Sequence, residues 1–109
     1  MGRVRRKLAM AAAVPAPPPA DTPCALCRRP LGRRTEWHHL VPKSEGGRDT
    51  VPLHPICHRA IHAGATNAEL ARDYPTLDAL RMREDIVRFL AWVAGKHANF
   101  HAPTRRGRG

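Results

Sequence analysis

This chain has little of what usually holds a small protein together. Aromatic residues are only 5% of it, and Trp37, Tyr74, Phe89, Trp92 and Phe100 are all there are. Its cysteines number three, an odd count that fits a closed disulfide framework poorly and metal ligation in a reducing cytosol better. No apolar run of roughly 18 residues occurs, so neither a transmembrane helix nor a membrane partner is expected. The start, Arg3–Lys7 followed by Leu8–Val14, has the outline of a signal peptide. Its apolar part is mostly Ala, however, and runs straight into Pro15, Pro17, Pro18 and Pro19, which argues against export and for a cytoplasmic protein. An acid-free, Arg-rich start would also suit an organellar presequence, for which nothing else speaks.

Acidic residues are scarce as well. Nine stand against 19 lysines and arginines, for a net charge of +10 and a pI near 11.2. Four cations lie in residues 1–20 and three in residues 101–109, while residues 21–100 hold twelve cations and all nine acids, a net +3. Basic ends on a mildly basic body suit attraction to a polyanion such as nucleic acid. Solubility alone would be served equally well by such tails, so charge gives weak support. A chain of 109 residues allows one domain at most. We expect a disordered basic Ala/Pro-rich arm over residues 1–22, one folded unit over residues 23–101, and a disordered basic tail over residues 102–109. A core of that size, this poor in aromatics, calls for a staple such as a metal.

What the chain does have is histidine, and five of its seven fall between Glu36 and His62. Histidine suits both metal ligation and proton transfer near neutral pH. The local pattern predicts a turn over Arg28–Arg34, a short strand over Thr35–Val41 ended by Pro42, and a flexible turn at Ser44-Glu45-Gly46-Gly47. A second strand should cover Asp49–Leu53, with Pro52 tolerable only where its N–H is not needed. A short helix from about His58 to Ala63 follows, stopped by Gly64 at the C′ position. Beyond it, Thr66-Asn67-Ala68-Glu69 fits a capping box, Thr76 caps another turn with Leu77 and Leu80, and a longer helix runs from about Glu84 to Ala94. Its stripe of Ile86, Phe89, Leu90 and Val93 should pack over the preceding unit.

Cys24-x-x-Cys27 and His54-x-x-Cys57 share one internal spacing, and two such knuckles can supply the four tetrahedral ligands of a structural zinc. A redox pair would want a thioredoxin-like βαβ context, which is absent. His58 or water in place of His54 stays open as the fourth ligand. His58 and His62, four apart, share one face of a helix and could share a metal. His38 and His39 point to opposite faces of a regular strand, so one ligand and one free imidazole is the natural division. A free imidazole beside a metal can act as a general base on water.

The segment from Glu36-Trp37-His38-His39-Leu40-Val41-Pro42 through Gly46-Gly47, followed by Leu53-His54-Pro55-Ile56-Cys57-His58-Arg59-Ala60-Ile61-His62, resembles the HNH endonuclease family. It is similar above all to small bacterial HNH proteins with a Cys-x-x-Cys ahead of the His pair, and the likeness covers residues 24–63. The resemblance implies an α+β fold: a small zinc-stapled ββα-metal (His-Me finger) domain, with additional C-terminal helices. It implies a hydrolase acting on DNA, double-stranded above all, with no small-molecule substrate. His39 would be the base that activates water. His38, His58 and His62 would bind a catalytic divalent ion (Mg2+, Mn2+, Ni2+ or Zn2+) that stabilises charge on the phosphate and on the leaving 3′-oxygen. Lys43, Arg48 and Arg59 would hold backbone phosphates, and Glu36 would orient His38. Two positions depart from the family. Asp49 stands where Asn is expected in the catalytic site, and His54 stands where cysteine is commoner. The alternative to a nuclease is a non-catalytic, zinc-dependent DNA-binding module that keeps the fold with a degenerate site.

Overall fold

The computed structural model describes Ala16 and residues 18–101. Of the expected arm and tail, residues 1–15, residue 17 and residues 102–109 lie outside the described residues. The order of elements is strand β1 (Glu36–His39), a single 3-10 turn (Lys43–Glu45), strand β2 (Thr50–Leu53), and helices α1 (Pro55–Ala63), α2 (Asn67–Asp73), α3 (Leu77–Met82) and α4 (Glu84–Val93). Two antiparallel strands followed by a helix, with further helices after them, form the expected ββα-metal arrangement.

β1 and β2 pair with Glu36 opposite Leu53, Trp37 opposite Pro52, His38 opposite Val51 and His39 opposite Thr50. A two-stranded ribbon has an open edge on both sides, so the missing N–H of Pro52 costs no ladder bond, and the Pro52 carbonyl instead accepts from Ala25 N at 2.9 Å. The turn between the strands depends on its glycines. Gly46 takes φ +90, a left-handed conformation that glycine adopts without steric cost. A Cβ on Gly47 would run into the Val41 carbonyl, so that position admits glycine alone.

α1 begins one turn earlier than the sequence pattern suggests. His54 is its N-cap and Pro55 its first residue, a position where proline fits because the missing N–H would have no helical partner. Cys57 therefore lies in the first turn of α1, immediately before His58. Gly64 does close the helix, but as its C-cap at φ −108 and not at the C′ position expected. Its role is spatial, because a Cβ there would overlap Asp85 Oδ2 and Arg83 Nη2.

The later helices start where their caps say they should. Thr66 Oγ1 accepts from Glu69 N at 3.1 Å, and Glu69 Oε1 accepts from Thr66 N at 2.8 Å, a complete capping box worth about 1 kcal/mol. Thr76 Oγ1 accepts from Ala79 N at 3.1 Å in the same way. The core joins Leu26, Leu31, Leu53, Ile56, Ile61, Leu70, Leu80 and Ile86 with Cys24 and Cys57. It thus runs from the N-terminal knuckle through α1 into the helices behind, and α4 packs against both α1 and α3. Two cysteines inside the apolar core place one donor cluster at the centre of the fold.

Candidate metal centres

Among the described residues two groups of donors converge: Cys24, Cys27, His54 and Cys57, and separately His38, His58 and His62, each group with its donor atoms within 4.8 Å of one another. The first is built on a tight turn. Cys24 N donates to Arg29 O and Arg28 N to Cys24 O, at 2.8 and 2.9 Å, and Arg28 takes φ 69 to close the loop. This brings Cys24 and Cys27 against the start of α1, which supplies His54 and Cys57. No disulfide forms, and Cys24 and Cys57 are fully buried.

His54 settles its own orientation. Its Nε2 lies 2.8 Å from Pro30 O, and a carbonyl can only accept, so Nε2 keeps a proton and Nδ1 is the nitrogen turned to the sulfurs, able to ligate once a cation displaces its own proton. Nδ1 is 3.4 Å from Cys27 Sγ and 3.7 Å from Cys57 Sγ. A tetrahedral zinc with Zn–S near 2.3 Å and Zn–N near 2.0 Å has sulfur–nitrogen edges of about 3.6 Å, so the spacing fits that ion. The protonation of the cluster points the same way. Hydrogen bonds from Cys27 and Cys57 hold Cys24 as a thiolate far below the ordinary thiol range. Hydrogen bonds to Cys24 and Cys27, with burial, hold Cys57 up as a thiol. Burial opposes charge on His54, but the Cys24 and Cys27 hydrogen bonds and the Cys24 charge outweigh it and raise its pKa to about 9. Protons here bridge a cluster that a divalent cation could bridge instead.

The second group is open where the first is closed. His38 comes from β1, and His58 and His62 from one face of α1. The rings meet edge to face, with centroids 5.3 Å apart for His38–His58, 5.3 Å for His38–His62 and 4.8 Å for His58–His62. His38 is 1% exposed, yet neither of its ring nitrogens has a hydrogen-bond partner among the described residues. A buried polar group left unpaired costs on the order of 1–3 kcal/mol, and a cation at this point would remove that cost. Burial first, then the neighbouring His58, His62 and His39, lower its pKa to about 4, so it stays neutral and able to ligate at physiological pH. His62 is exposed, which leaves one side of the trio facing solvent. Its pKa is lowered by desolvation, then by His58 and Arg83.

Two supports of this centre were not read from the sequence as they stand. Glu36 does not touch His38: its Oε1 accepts from His58 Nδ1 at 2.9 Å, which turns the other nitrogen of His58 toward the trio. Strand alternation does place Glu36 and His38 on one face, but only the approach of α1 decides which histidine the carboxylate meets. Arg83 is the second. Its Nη2 donates to Ala60 O and Ile61 O at 3.0 Å each, and Asp85 holds the guanidinium from the other side at 2.6 Å. It satisfies carbonyls at the C-terminal end of α1, beside His62. No local signal marks Arg83, which lies 23 and 22 residues from the carbonyls it caps.

The remaining expected site residues lie outside both clusters. His39 is half-buried, opposite Thr50, on the face of β1 away from His38. Asp49 is exposed, and its backbone carbonyl accepts from Leu40 N at 3.1 Å. Its carboxylate is not among the converging donors. Lys43, Arg48 and Arg59 are exposed, and Arg59 Nη1 lies 3.4 Å from His101 Nε2.

The comparisons with known proteins agree with this geometry. The family model described as HNH endonuclease matches residues 24–64, the span from the first cysteine knuckle to the end of α1. An uncharacterized protein of Bacillus subtilis (strain 168), YisB, is 43% identical over 72 residues, covering 64% of this chain and 71% of that protein. No solved structure matches the chain. With the ββα arrangement, the two donor clusters and the family match coinciding over the same residues, the chain belongs to the HNH endonuclease family.

Proposed function

We propose that this protein is a metal-dependent endonuclease that hydrolyses phosphodiester bonds of DNA. The observation that carries the reading is the His38/His58/His62 trio, three imidazoles converging with one side open to solvent. Catalytic metal sites characteristically combine three protein ligands with an open position. In this reading Cys24, Cys27, His54 and Cys57 hold a structural zinc. His38, His58 and His62 hold a divalent ion, which when bound stabilises charge on the phosphate and the leaving 3′-oxygen. His39, next to a ligand but turned to the other face of β1, takes the proton from a water as its oxygen attacks phosphorus and the P–O3′ bond breaks. Lys43, Arg48 and Arg59 supply cations for flanking phosphates of duplex DNA.

A second reading draws on Asp49. Where the family pattern has Asn, this chain has an exposed acid standing apart from the trio, so a DNA-binding module with a degenerate site is the alternative. A plasmid-nicking assay with magnesium, manganese, nickel or zinc separates the two. The nuclease reading requires that His39→Ala lower cutting by at least about a hundredfold while the fold and the zinc content survive. Equal cutting by that variant sinks the assignment of the base. Binding without cutting under every metal favours the module.

A further inference from the structure

We infer that the cleft beside the N-terminal end of β1 is a subsite for one unpaired nucleotide adjoining the phosphate to be cut, an inference that rests on the nuclease reading. The cleft has a volume of about 310 Å³ and is lined by Arg33, Arg34, Thr35, Glu36, Trp37 and Pro55, a size within the range of small-ligand pockets. Its two arginines differ from those that hold the fold. Arg29 donates to Lys96 O and His97 O, Arg81 and Arg83 donate to backbone carbonyls, and Arg72 pairs with Asp73. Arg33 and Arg34 are exposed, and among the described residues neither forms an ion pair. Yet the backbone that carries them is pinned, since Arg33 N donates to Asn99 Oδ1 at 2.8 Å. Two adjacent guanidiniums without carboxylate partners, on a held backbone, suit a phosphate.

Trp37 supplies the other half of a nucleotide site. It is half-buried and forms part of the cleft wall, where an aromatic face can stack an unpaired base whatever its identity. A base stacked inside a duplex has both faces covered, so a nucleotide of duplex DNA must leave the stack to use it. The position is tied to the chemistry in two ways. Trp37 and His39 share one face of β1, two residues or roughly 7 Å apart, and Glu36 in the cleft wall is bonded to His58. The Glu36 carboxylate repels a phosphate, so the phosphate belongs on the Arg33/Arg34 side and the base toward Trp37.

The chain has two tryptophans, so in a Trp92→Phe background Trp37 fluorescence reports on the cleft alone. A short oligothymidylate should quench it to saturation, and the matching duplex should not. Replacing both cations (Arg33→Ala with Arg34→Ala) should weaken binding about tenfold and flatten the salt dependence by about 0.7, the value for one phosphate neutralised on a single strand. Trp37→Ala should weaken binding of a dye-labelled oligothymidylate about tenfold, with Trp37→Phe restoring most of it. Should Trp37→Ala fail to fold, the exposed arginine pair still decides. Quenching unchanged in the double variant, equal quenching by duplex, or no binding of the oligonucleotide each overturns the subsite. Plasmid cutting by the parent in any of those cases leaves the nuclease reading standing. Quenching with the arginine effect but no cutting under any metal upholds the subsite and removes the nuclease reading.

Discussion

The two donor clusters share one helix and differ in closure. Cys57 and His58 are neighbours on α1, about 100° apart around its axis, and that rotation sends one into the core and the other toward the strand. Around Cys57 are three more donors, two of them also buried and the third, Cys27, half-buried. Around His58 are two, one of them exposed His62. On the proposed reading, a four-donor site set in the apolar core has no ligand position left for a substrate and serves stability. A three-donor site with an open side has room for a water or a phosphate oxygen. On that reading, the same chemistry of metal and ligand is divided between folding and function by burial.

The sharpest way to break this comparison is to remove a donor from each side. Cys57→Ser should cost the fold itself, since the binding energy of a structural zinc, about 10–16 kcal/mol, is folding energy in a domain this small. Circular dichroism and metal counting would show an unfolded, zinc-poor chain. His62→Ala should leave a folded protein that retains one zinc and has lost the second ion and any cutting. If Cys57→Ser folds as well as the parent, the closed cluster is not the staple.

Acid should distinguish the clusters next. His38 titrates near 4 in the folded chain and near 6.5 when unfolded, so the unfolded state binds more protons between those values. Stability supplied by the neutral imidazole is complete above pH 6.5 and is lost as the pH falls toward 4, an effect on the order of 3 kcal/mol without the second ion. Zinc loss in acid is common to parent and variant. The measurement is therefore the difference in pH dependence between the parent and His38→Gln, by denaturant unfolding from pH 7.5 to 4.5. Parallel curves would mean that His38 is not held neutral by the fold.

A smaller effect tests the carboxylate that turns out to serve His58. Glu36→Gln keeps a hydrogen-bond acceptor and removes the charge. It should weaken binding of the second ion about 10–100-fold while leaving zinc content unchanged, as read by metal titration. A matching loss of zinc would mean that the two centres are not independent. The smallest effect is expected at Asp49, exposed and outside the trio. Asp49→Asn restores the family's amide and removes a negative charge from the path of the phosphates, and should raise cutting a few-fold without changing stability. Lower activity in that variant would mean that the carboxylate takes part in the reaction.

Much of this protein is legible from residue spacing. Cys24-x-x-Cys27, His54-x-x-Cys57 and the His58/His62 pair can be read as donors because short-range geometry decides which of them share a turn or a face. Thr66 with Glu69, and Thr76, mark helix starts through bonds that span three residues. The start of α1 is less legible, because Pro55 serves equally as a breaker after a strand and as the first residue of a helix. Gly64 is visible as a stop, but its reason is the space that Arg83 and Asp85 need, which no local pattern expresses.

The sequence by itself determined the donor sets, the alternation that parts His38 from His39, and the helix starts, since each depends on residues within about a turn or a strand of one another. Only the tertiary structure decided that His54 faces the sulfurs through Nδ1, because Pro30 lies twenty-four residues away. It alone gave Glu36 to His58 and set Arg83 on the end of α1. It alone enclosed one cluster and opened the other, because burial belongs to the packed chain and not to any stretch of it.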